Sequence, residues 1–87
     1  MQDPDIDDDY GKEGFALDLF KLRVFTLDMT QQDFADRFGL SIGQLKDQEQ
    51  GRAYPTRPFK VLAAAIELNP RLVARAARVA AEKWPNE

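Results

Sequence analysis

The chain contains no cysteine and no histidine. Without thiols, neither a disulfide nor a thiolate metal site can hold the fold. Without imidazole, the commonest general base and the commonest metal ligand are both missing. Carboxylates are plentiful, but no glycine-rich phosphate loop accompanies them, so no catalytic set assembles. Neither an enzymatic activity nor a cofactor is expected. No apolar run approaches the length of a membrane span, and no signal-peptide pattern opens the chain. A soluble, cytoplasmic protein without a membrane partner is therefore expected. Internal repeats, low-complexity tracts and heptad runs are absent as well.

What remains is 87 residues with 44% hydrophobic content and six Phe, enough for one small helical core near the lower size limit. The formal net charge of −3 at first argues against a nucleic-acid partner, but its distribution does not. Residues 1–14 hold six acids against Lys12 alone, a net −5, whereas 15–87 carry +2 and the part from Gly51 onward carries +4. An acidic arm precedes a mildly basic body, and affinity for DNA follows the local face rather than the total. Residues 1–14, with Pro4 and two glycines and no helical period, are read as a disordered arm.

Hydrophobic spacing then predicts five helices in one bundle. The first spans about Phe15 to Leu27, with Phe15, Leu19 and Leu22 at i, i+4 and i+7 and Ala16, Phe20 and Val24 widening the stripe. The second begins after Thr30, a candidate cap, and places Phe34, Ala35 and Phe38 on one face. Gly39 follows where a helix end needs left-handed backbone. Ser41 is a candidate cap for a third, short helix with Leu45 as its apolar position and Gly51 as its close. Residues 52–58 contain Pro55 and Pro58 and form a loop, Pro58 fitting the first turn of a fourth helix with Phe59, Leu62, Ala63 and Ile66 inward. Asn69-Pro70 restarts the chain as a fifth helix to about Lys83, expected to bury Leu72, Val73, Ala76, Val79 and Ala80. Trp84 is expected as a packed cap at its end.

Thr30-Gln31-Gln32-Asp33-Phe34-Ala35, Gly39-Leu40-Ser41 and Glu49-Gln50-Gly51-Arg52, with Pro55 soon after, resemble the Cro/repressor-like (XRE) helix-turn-helix proteins. The pattern is closest to the small antitoxin-type regulators of that family and covers about residues 17–80. The resemblance implies an all-α, compact five-helix bundle of the lambda repressor-like kind, with residues 15–87 as a helix-turn-helix DNA-binding domain. It implies a transcriptional regulator, a repressor acting as a homodimer on a double-stranded operator. One departure stands at Gln48, where the family usually has a large apolar residue. Gln48 is expected to be partly exposed, forgoing packing and loosening the third helix; the alternative is a hydrogen bond across helices.

A helix in the major groove reads base edges with the residues that avoid its core side. Opposite Leu45 these are Ile42, Gly43, Lys46, Asp47 and Gln50, with Gln44 at the margin. Lys46 can donate to guanine, Asp47 can accept from cytosine, Ile42 can meet a thymine methyl, and Gly43 permits close approach. Phosphate contacts are expected from Thr30, Gln31 and Ser41 at helix starts and from Arg52, Arg57 and Lys60. The first and fifth helices carry surplus apolar surface, which suits a homodimer seam. The alternative function is a protein-binding antitoxin or antiactivator module in which DNA binding is secondary or lost.

Overall fold

The first turn of the body sets its geometry through small and apolar residues spaced for one helical face. The computed structural model describes residues 13–85, so the expected arm over 1–14 lies outside the described residues except for Glu13 and Gly14. Gly14 already has helical backbone angles, and helix α1 follows at Phe15–Lys21 with Ala16 and Leu19 buried. At Leu22 the winding changes. Leu22–Thr26 is a π-helix, in which the Leu27 N–H donates to the Leu22 carbonyl at 3.0 Å. The wider turn keeps Leu22 and Arg23 buried while Phe25 stands 74% exposed. Helical winding thus reaches Thr26, next to the expected end at Leu27, but as a π segment after Lys21; Phe20 is a correction, since it lies outside the core because Ala16, Leu19 and Leu22 already fill the inward face.

Asp28 turns the chain with a φ of 55°, a left-handed angle that aspartate tolerates better than most side chains. Helix α2, Gln31–Phe38, then starts on Thr30, whose Oγ1 accepts from the Asp33 N–H at 3.1 Å. Phe34, Ala35 and Phe38 are buried, with the two rings edge-on at 4.8 Å. Gly39 ends it at φ 77°, and the Leu40 N–H reaches back to the Ala35 carbonyl at 2.9 Å.

Only three residues separate α2 from helix α3, Ile42–Glu49. It points Leu45 and Gln48 inward. Helix α4, Arg57–Leu68, starts one residue before Pro58, on a Thr56 cap, and buries Phe59 and Ile66 with Leu62 and Ala63 half-buried. Helix α5, Pro70–Lys83, is capped by Asn69, whose Oδ1 accepts from the Leu72 N–H at 3.1 Å. Its inward line differs from the expected one. Ala74 is buried and Val73 and Ala77 half-buried, whereas Leu72, Ala76, Val79 and Ala80 are exposed. The apolar arc of α5 is wider than the surface α2 and α4 offer it, so only Ala74 is buried, with Ala77 beside Gly39 at the end of α2. Trp84 is exposed rather than packed, with the Lys83 ammonium 4.9 Å from its ring centre.

Among the described residues these five helices stand with no strand between them. Helix α3 packs on α1 and α2, and α5 packs on α2 and α4. Phe34, Leu19, Leu45 and Ile66 fill the centre of one continuous core. Each such side chain contributes about 1.5–3 kcal/mol by leaving water. No helix among the described residues is long and apolar enough to cross a membrane.

Candidate functional site

Helix α3 has two faces fixed by what holds it. Its start is a complete capping box: the Gln44 N–H donates to Ser41 Oγ at 3.0 Å, and the Ser41 N–H donates back to Gln44 Oε1 at 3.4 Å. Leu45, fully buried, anchors its middle. Its C-terminal end is tied by Glu49. Arg23 Nε and Nη2 donate to the two carboxylate oxygens at 2.6 and 2.9 Å, a bidentate ion pair with side chains only 10% and 5% exposed. Arg23 Nη1 also donates to the Met29 carbonyl at 2.9 Å, and Gln31 Nε2 donates to Glu49 Oε1 at 3.2 Å. One carboxylate thereby joins the π segment after α1, the connection that follows it, the start of α2 and the end of α3.

In the sequence Arg23 draws no notice and Glu49 enters only as part of the Glu49-Gln50-Gly51-Arg52 pattern, neither with a role, though each carries a legible mark. Arg23 falls four residues after Leu19, and Glu49 four after Leu45, so both are charges on otherwise apolar faces.

Gln48 corrects its expectation. It is 8% exposed, not partly exposed, and among the described residues its Oε1 has no hydrogen-bond partner in place of the alternative bond across helices. Leaving a buried acceptor unpaired costs about 1–3 kcal/mol.

The opposite side of α3 faces outward. Gly43, Gln44, Lys46, Asp47 and Gln50 are exposed and Ile42 is half-buried. A side chain at Gly43 would meet no atom within 4 Å. Asp47 Oδ1 is 3.3 Å from Arg52 Nε, so an expected base reader and an expected phosphate contact form an exposed ion pair. Thr30 and Ser41 serve as helix caps and remain exposed. Gln31 is half-buried, its amide turned to Glu49. Arg57 is exposed at the first turn of α4. Lys60 lines a different hollow, between α1 and α4, with Phe15, Leu22 and Glu67.

The structure therefore brings together Ser41 and the outer residues of α3, with Arg52 beside them, and leaves Lys60 elsewhere. Among the described residues no acidic cluster suits a metal ion. Comparison with family models, with curated proteins and with solved structures finds no significant match to this chain.

Proposed function

We propose that the chain is a sequence-specific DNA-binding transcriptional regulator, a dimeric repressor, in which α2 and α3 act as a helix-turn-helix and α3 reads the major groove. The observation that carries this reading is the division of α3. Its inner side and both ends are fastened by Leu45, the capping box and Glu49, while Gly43, Gln44, Lys46, Asp47 and Gln50 line its outer side. A short helix held at both ends and bearing polar side chains outward suits the major groove, which admits one helix. The exposed Leu72 and Val79 of α5, with Val61 and Leu68 of α4, offer the apolar surface for a two-fold partner.

The test is a titration of DNA from upstream of the gene against random DNA, at several salt concentrations. Specific binding that weakens as salt rises supports the reading, because neutralised phosphates release counterions. Equal affinity for random DNA, or a flat salt response, defeats it. The second reading, a protein-binding antitoxin or antiactivator, is favoured by one observation: the Asp47–Arg52 pair offsets a cation beside the outer face of α3.

A further inference from the structure

We infer that the hollow between α2 and α5 is a binding site for a small zwitterion of dipeptide size, with an ammonium at one end and a carboxylate at the other. The hollow measures about 770 Å³, a volume typical of ligand pockets. Part of its lining is apolar: Leu27 and Met29 from the connection before α2, and Ala74 from α5. Around these stand Asp28, Asp33 and Asp36 on one side of the charge balance and Arg37 and Arg78 on the other. All of these charged residues are exposed, yet among the described residues no ion pair joins either arginine to any of the three carboxylates. Asp33 and Arg37 stay unpaired even at a spacing of four residues on one helix, where such pairs form readily. Asp36 accepts from the Gln32 amide at 2.9 Å instead.

The placement of the charges selects the ligand. Asp33 lies in the first turn of α2 and Arg37 in the last, about 6 Å farther along by helical rise. Asp28 precedes the Thr30 cap and so belongs with the first turn, and Gln32 holds Asp36 from that side. Arg78 follows Ala77, which lies beside Gly39 where α2 ends. The hollow thus has an acidic end and a basic end. A cation alone, such as a polyamine, meets the two guanidiniums, and an anion alone, such as a nucleic-acid phosphate, meets the three carboxylates. A ligand bearing both signs satisfies both ends at once, its carboxylate taking the paired donors of a guanidinium. Leu27, Met29 and Ala74 then receive its apolar body. The inference does not depend on DNA binding.

The test uses the full chain and the dipeptide leucyl-alanine at millimolar concentration, followed by backbone amide chemical shifts. The N-acetylated dipeptide lacks the ammonium, and the dipeptide amide lacks the carboxylate. The free dipeptide is expected to bind, and each blocked form to bind roughly fivefold or more weakly. R37Q/R78Q should weaken the free dipeptide as much as loss of its carboxylate does, and should leave it equal to its amide. D28N/D33N should likewise leave it equal to the acetylated form; asparagine tolerates the left-handed backbone at 28. K21Q/K60Q, in the hollow between α1 and α4, should leave binding unchanged. All these side chains are exposed, so the variants should stay folded by circular dichroism. Should one unfold, shift changes of the natural chain centred on Met29, Asp33, Ala74 and Arg78 carry the same expectation. No binding by the natural chain, equal binding of the three peptides, or equal loss in R37Q/R78Q and K21Q/K60Q overturns the proposal.

Discussion

At Arg23 and Glu49 two charges lie almost wholly out of water, and neither is tolerable there alone. Burying an ion is costly, and the pair recovers that cost through two short bonds and the added donations to Met29 and from Gln31. Arg23→Ala or Glu49→Ala should each cost about 3–5 kcal/mol in urea unfolding, because each leaves the other charge buried and unpaired. The double variant should cost less than the sum of the two, which a double-mutant cycle reads directly. Gln48 carries the opposite expectation. Its Oε1 is buried without a hydrogen-bond partner among the described residues, so Gln48→Leu or Gln48→Met should stabilise the fold by about 1–3 kcal/mol, seen as a higher urea midpoint. A lower midpoint would mean the shape of the amide matters more than its missing bond.

At the scale of elements, α3 is eight residues long and cannot stand on intrinsic propensity. Its capping box is therefore a large fraction of what holds it, and Ser41→Ala should lower stability by about 0.5–2 kcal/mol by thermal unfolding. On the proposed operator the same change should weaken binding beyond its effect on folding. The Asp47–Arg52 pair gives a sharper expectation. Asp47→Ala should relax preference at one base pair yet raise affinity for random DNA, since it releases the Arg52 charge. Anisotropy on cognate and random duplexes at low salt separates the two effects.

Local chemistry made these elements legible in sequence. Thr30, Ser41 and Asn69 are caps, Gly39 is left-handed, and Phe34, Ala35, Phe38, Leu45 and Ile66 are inside, all as residue type and spacing require. The outward side of α3 followed from Leu45 alone. What spacing cannot encode is a meeting between helices. Arg23 and Glu49 are 26 residues apart, and the turn of Gln31 toward Glu49 depends on both. The π winding and the inward line of α5 likewise depend on which neighbours a helix meets, not on its own period.

For the whole molecule, exposed apolar side chains fall into separate districts. Leu17 and Phe20 belong to α1 and Phe25 to the π segment that follows it, whereas Val61 and Leu68 belong to α4 and Leu72 and Val79 to α5. If the second district is the proposed two-fold seam, Leu72→Asp should shift sedimentation toward the monomer, whereas Phe25→Ser should not. Charge is divided as unevenly. Shortening the chain to begin at Glu13 removes five acids and one base, a change of +4. Affinity for random DNA should rise more than for the operator, and the gain should shrink as salt screens it. Unchanged binding at low salt would show that those residues leave the DNA-binding surface alone.

Gly43 stands on the outer side of α3 with open space where a side chain would begin. Glycine is among the poorest helix formers, so replacing it there should raise stability by about 0.5–1 kcal/mol for alanine. Most changes in a small domain erode its margin, which confines what selection can explore. This position is free of that tax. A lineage could write new chemistry onto the outer side of α3 while becoming sturdier, and drift between targets without passing through an unfolded ancestor. A saturation library at Gly43, sorted first for melting temperature and then for ligand preference, should keep nearly every member in the first sort and scatter them in the second.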